Sequence, residues 1–426
     1  MPNPLNNQHF VLAAAFACAL AQASTGQEFI WQTDSTSATL TQYVGAGGDV
    51  VIPGQYNGRP VFSIGPEAFI DAADVERVVI PDSVVRIGEE AFAYSTGLTN
   101  VVFGQGLAAI GDRAFRDCRA LASIDVAPGN LFFSSLNGVL FDKDQTALLL
   151  YPAAKGSAYT VPETVVRIGS DAFARVQGLR SITLPEELIE IGDWAFDRTG
   201  LTRIQIPALV ERIGDGAFSS CAKLGSIQMT NGIAHIGNRA FERTAIQELV
   251  LLPGTTRIGS WAFSGCVLLS RVRLPEGIDT IAPRTFFDCP ALTQVTLPAG
   301  LTRIDEWAFS GCVRLRSLTL PEPLAEIGER AFSDCSSLAE LRFLGDAPVV
   351  APDAFAGSPL VTIHRLPETA GWGDTLAGRP VVLWAREEAD KFLQELAPKE
   401  PPPRAAPTTR PLFGRSRRLD PPEPTP

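Results

Sequence analysis

The sequence predicts a solenoid, an α/β repeat chain of short coils stacked along one axis. Three observations predict it. A phenylalanine preceded by Ala or Thr recurs at Phe69, Phe92, Phe115, Phe173, Phe196, Phe218, Phe241, Phe263, Phe286, Phe309, Phe332 and Phe355, with gaps of 22 or 23 residues and one of 58. Apolar residues keep the same offsets around each copy. Where a gap shortens to 22, after Phe196 and Phe241, the missing residue falls in a loop and the apolar pattern stays in phase. A fixed period of this size means that each unit buries its apolar face only against its neighbours.

The copy from Leu292 to Cys312 shows what one coil does. Val295 and Leu297 alternate with Gln294 and Thr296, the period of a half-buried strand. Pro298 ends that strand, because it brings no N–H to a ladder. Leu301 and Ile304 point inward again. Ala308, Phe309 and Cys312 fall at helical spacing and predict a short helical turn. Most copies place glycine after the isoleucine (Gly88, Gly111, Gly169, Gly192, Gly214, Gly237, Gly259, Gly328), which predicts a tight turn of positive φ. Asp112, Asp193, Asp215 and Asn238 follow and suit capping of that turn's first N–H groups. Coils should stack at about 4.8 Å, the spacing of neighbouring strands.

The pattern Leu-x-x-Val-x-Leu-Pro-x-x-Leu-x-x-Ile-Gly-x-x-Ala-Phe-x-x-Cys-x-x-Leu resembles the bacterial leucine-rich repeats of the BspA type. The resemblance covers about residues 60 to 360. It implies a right-handed leucine-rich-repeat solenoid with a parallel sheet on one face. It also implies an exported or surface protein, since some members act as adhesins. No universal ligand motif comes with it.

Several segments flank or interrupt the array. Residues 1–23 read as a signal peptide: Phe10 to Ala21 is apolar, and Ala21-Gln22-Ala23 fits a small-x-small cleavage site. The run is too short to span a bilayer, and no later stretch is apolar enough. Cys18 follows a poor lipobox. Residues 24–60 are β-rich but off the period, and form an N-terminal cap. Residues 127–160, within the gap of 58, hold two short strands joined by a polar turn, with Asn137-Gly138 as a turn signal. The solenoid runs over 61–359 and 360–385 cap its last coil. Arg386 to Ala397 predicts an amphipathic helix, followed by a Pro-rich, Arg-bearing tail to Pro426 that predicts disorder.

Net charge is −11, which argues against a nucleic-acid binder. Cys118, Cys221, Cys266, Cys289, Cys312 and Cys335 each stand three residues after a repeat phenylalanine. Other copies hold Ala72, Ser95, Val176, Thr199, Thr244 and Ser358 there, so the site takes a small buried side chain. Free core thiols are expected, with disulfides between coils as the sharper alternative. Single-file thiols make no tetrahedral metal site. The histidines His9, His235 and His364 are far apart, and nothing suggests catalysis, a metal or a cofactor.

Two outward rows are candidates for recognition. The mid-strand row (Val79, Val102, Asp125, Thr183, Gln205, Gln228, Val250, Arg273, Thr296, Thr319, Arg342) is mixed and mostly uncharged. The row two residues before the phenylalanine reads Trp194, Gly216, Arg239, Trp261, Arg284, Trp307, Arg330. At coil spacing each guanidinium reaches an indole, which either stabilises an edge of the solenoid or forms a recognition patch. The expected function is an exported, non-enzymatic protein offering an extended surface to a protein or glycan, with cell-surface adhesion one form of it. The alternative is a structural envelope protein without a specific ligand. The sequence leaves the oligomeric state open.

Overall fold

Each repeat contributes two strands, not one, and they form two parallel ladders, each divided into successive sheets along the array. The computed structural model describes residues 28–396. The expected signal peptide, Cys18, His9 and the Pro-rich tail lie outside the described residues. The chain divides into two units at Leu383/Trp384. The second unit holds the one helix among the described residues, α1 (Arg386–Leu396), where Arg386 Nε meets Asp390 Oδ1 at 3.0 Å one turn on.

The long ladder is the expected one. Val75–Val79, Asn100–Phe103 and Ser123–Val126 pair in parallel. After the insert the same strand recurs from Ala158–Thr160 to Thr362–Arg365, and Arg379–Leu383 adds one more parallel strand beyond the last coil. The mid-strand residues face one another in register, as Gln205 does Gln228 and Arg273 does Thr296. The short ladder was not anticipated. It is built from two-residue strands such as Arg167–Ile168, Glu190–Ile191, Arg212–Ile213, His235–Ile236 and Arg257–Ile258. Its inward member is the repeat isoleucine. Its outward member is mostly charged, and Arg212 bridges Glu190 at 2.8 Å and Asp193 at 2.7 Å.

The corner carrying Ala-Phe is not the expected helical turn. Its residues alternate in handedness: the positions two before and two after the phenylalanine have positive φ, as at Glu90 (51°) and Tyr94 (62°) around Phe92. This alternation turns every second amide toward the next coil. Glu90, Phe92 and Tyr94 donate to the carbonyls of Asp112, Ala114 and Arg116, at 3.0, 2.8 and 2.7 Å. The intervening amides close turns within their own coil, as Ala91 does on Gly88 and Ala93 on Glu90. All of them are thereby satisfied without a helix, which is why the corner can stack at strand spacing.

Two features of the corner differ from what the sequence predicts. The glycine after the isoleucine does not supply positive φ. It lies against the previous coil, and a Cβ at Gly88 would stand 2.4 Å from Pro66 N and 2.5 Å from Gly65 C. The following Asp or Asn does not cap its own turn. Asp193, Asp215 and Asn238 each accept from the matching amide one coil on, at Asp215, Asn238 and Ser260.

The repeat phenylalanines form inner files of stacked rings, with centroids 4.7 to 6.0 Å apart. Among the described residues the six cysteines are free and buried. Each thiol donates to the carbonyl of the preceding coil's phenylalanine, as Cys312 does to Phe286 at 3.3 Å, and Ser95 and Ser358 do the same with a hydroxyl. A small hydrogen-bond donor, not merely a small side chain, explains why Cys and Ser interchange. Burial pushes these thiols up, to about 12 at Cys335.

The insert divides the core in two. Phe133–Leu136 and Val139–Asp142 form a hairpin around Asn137-Gly138, and Val139–Asp142 then pairs antiparallel with Ala147–Leu150. Ala147–Leu150 in turn starts a new parallel ladder with Arg167–Ile168. The N-terminal cap does the same: Phe29–Thr33 pairs antiparallel with Ala38–Tyr43, which starts the first ladder with Arg59–Ile64. The likeness extends to side chains. Leu40 precedes Tyr43 and Leu148 precedes Tyr151 by three residues. Tyr43 stacks on Phe69 and Tyr151 on Phe173, each heading a ring file at 5.0 Å. The insert is therefore a second starting cap, and the first unit holds two arrays in tandem.

Candidate functional site

The tryptophan–arginine row sits on the corner because its position is one of the two with positive φ. Trp194 (55°), Gly216 (60°), Arg239 (55°), Trp261 (62°), Arg284 (57°), Trp307 (60°) and Arg330 (50°) share that conformation, which points their side chains off the solenoid. Five of the six candidate residues meet in one stack. The Arg239 and Arg284 guanidinium carbons lie 4.9 and 4.8 Å from the Trp261 ring centre. Arg284 and Arg330 lie 5.5 and 4.9 Å from that of Trp307. Each indole is thus held between a cation from the coil before and one from the coil after. Glu242 anchors Arg239 at 3.0 Å and Asp353 anchors Arg330 at 3.1 Å. Trp194 stands apart from the stack: its ring folds over Gly216, where a Cβ would come within 2.3 Å of it.

The same corner face is hollowed where the two arrays meet. A cleft of about 750 Å³ opens beside the insert. Phe115, Phe133, Leu140 and Leu149 give it an apolar floor, and arginines and carboxylates from the corners of successive coils give it a charged rim. Arg175 crosses from the second array to Asp117 of the first at 2.8 Å and closes one side. Burial pushes Asp197 up to about 6, opposed by Arg198 and Arg175. Burial likewise raises Asp171, which lies in the field of Arg113 and Arg116. Among the described residues no three His, Cys, Asp or Glu side chains gather to hold a metal, and no helix is long and apolar enough to cross a membrane.

Residues 62–141, 153–269 and 256–370 match the family described as BspA type leucine rich repeat region. The chain belongs to the BspA-type leucine-rich-repeat family. A leucine rich cell surface protein from Faecalibacterium prausnitzii is similar at 27% identity over 82% of this chain and 95% of that one, with a TM-score of 0.50. A leucine-rich repeat protein from Bacteroides ovatus shares the fold at 23% identity, over 85% and 99% of the two chains, with a TM-score of 0.53. No curated protein matches.

Two features of this BspA-type array escaped the sequence reading. Phe287 wedges between the tryptophans, its ring 5.7 Å from Trp261 and 6.1 Å from Trp307. Its place next to Phe286 was the available signal, since the other copies put a small or polar residue there in most coils. The cleft had no signal of its own, because it arises where a repeat is interrupted.

Proposed function

We propose that this chain is an exported, non-enzymatic BspA-type protein that binds a partner protein at a cell surface through its corner face. The observation that carries the reading is the preorganised row Arg239–Trp261–Arg284–Trp307–Arg330. Trp and Arg dominate binding hot spots, and side chains already held in one geometry lose little entropy on association. The similar Faecalibacterium protein is described as a cell surface protein, which supports the location. A protein partner fits better than a glycan. Sugar rings stack on free aromatic faces, whereas Trp261 and Trp307 carry guanidinium groups from both neighbouring coils. The row then offers ring edges and guanidinium N–H groups, which suit carboxylates and carbonyls of a protein surface. Trp194 and the cleft extend the same face.

The same stack would also stiffen a purely structural envelope protein, and one experiment separates the two readings. The double variant Trp261→Ala/Trp307→Ala is compared with the parent for urea stability and for capture of proteins from cell-surface extracts. Saturable capture lost while stability falls by no more than about 2–4 kcal/mol, the worth of the four cation–π contacts, supports recognition. Unchanged capture, or no saturable partner for the parent, overturns it.

A further inference from the structure

We propose that the cleft between the two arrays binds an extended peptide through its main chain. The molecule itself shows what its corner amides take. In nine coils the amides of the phenylalanine and of the residues two before and two after it all donate to carbonyls of the next coil. In the last coil, at Phe355, none does, and inside the molecule none does in the coil of Phe115. The amides of Arg113, Phe115 and Asp117 have no acceptor among the described residues, although Arg113 and Asp117 keep the φ of their counterparts, 53° and 55°. The cause is the insert. The next coil runs from Leu148 to Tyr151 in three residues where Ile87 to Phe92 takes five, so the carbonyls that would answer are missing. Arg113 and Phe115 line the cleft, and Asp117 lies at its closed side under Arg175.

The facing wall is complementary. Ser170 and Ala174 line it, and their carbonyls have no donor among the described residues. Their counterparts Asp193 and Asp197, one coil on, accept from Asp171 and Arg175. Three donors at alternate residues on one wall and two free carbonyls on the other, with Ala172 between them already taken by the Tyr151 amide, are groups that a peptide main chain can satisfy from both sides, the logic by which strands add to open edges. Side chains of an extended peptide alternate between faces. One would rest on Phe133, Leu140 and Leu149, and the next would pass Asp171, whose carboxylate has no hydrogen bond among the described residues. A free anion suits the amides but not the facing carbonyls or Asp171.

The test titrates the full chain with a capped synthetic peptide copying residues 338–345, which holds the chain's own extended strand Glu340–Phe343. Calorimetry should show saturable one-to-one binding. Amide exchange at Arg113 and Phe115 should slow on saturation. Ala174→Trp, which fills the cleft, should weaken binding at least about tenfold. Trp261→Ala/Trp307→Ala should leave it unchanged, so failure here is distinct from failure of the row as a recognition patch. The proposal is overturned if the peptide does not saturate, if it binds without slowing those two amides, or if Ala174→Trp binds as tightly as the parent. It is also overturned if sulfate slows them and the peptide does not. Should Ala174→Trp unfold, the exchange pattern of the parent chain decides.

Discussion

Phe263→Ala should cost about twice as much stability as Phe115→Ala. Phe263 is fully buried, with Phe241 on one side at 5.4 Å and Phe286 on the other at 5.8 Å. Truncating such a ring removes its transfer free energy and leaves a cavity that two rigid coils cannot close, about 4 kcal/mol together. Phe115 stacks on Phe92 at 5.1 Å with Phe103 tilted beside it at 6.0 Å, and the side away from Phe92 meets the cleft. With packing lost on one side only, its truncation should cost about 2 kcal/mol. Urea unfolding followed by far-ultraviolet circular dichroism measures both, read as a midpoint change at constant slope. Equal costs for the two variants, or a cost below about 1 kcal/mol for Phe263→Ala, would refute the reasoning that coils bury one another's rings.

Three further outcomes are expected. Asp197 has a folded pKa of about 6 against an ordinary value of 3.8. The native state therefore holds a proton that the unfolded state has lost between about pH 4 and 6, and stability falls as pH rises through that window, by at most about 3 kcal/mol. Asp197→Asn should flatten the step in urea midpoints taken at both ends. Gly237→Ala puts a Cβ 2.5 Å from Gly214 C, so urea unfolding should show a loss of roughly 1–3 kcal/mol of stability despite the ordinary φ of that residue. Cys312→Ser keeps a donor for the Phe286 carbonyl and Cys312→Val does not, so thermal melts should favour the serine variant by about 1 kcal/mol.

The long ladder and the phenylalanine file were legible because each leaves a periodic mark. Asn137-Gly138 marked a turn, but the insert holds three strands where two were expected, because Phe133–Leu136 carries no alternation of its own. The short ladder left none: a two-residue strand such as Arg212–Ile213 has no room to alternate. The alternating corner was hidden because Trp, Arg, Asp and Glu occupy its left-handed positions, and the glycines at Gly265, Gly311 and Gly357 are too scattered to mark them. The conspicuous glycine after the isoleucine misled, since close approach and positive φ select the same residue. The tryptophan–arginine stack was readable from spacing alone. Trp194 was not separable from it, because only the fold shows its ring lying over Gly216. The kinship of the insert with the N-terminal cap rests on Leu40, Tyr43, Leu148 and Tyr151, which stand outside the repeat and are silent until their ladders are traced.

Amide hydrogen exchange of the free protein, read residue by residue, bears most directly on how the coils are joined. The amides of Phe92, Phe173 and Phe218, each bonded to the following coil, should exchange slowly, and that of Phe115 should exchange orders of magnitude faster. Uniform protection of all four amides would mean that no such interruption exists. Fast exchange at all four would mean that the coils are not joined through their corners.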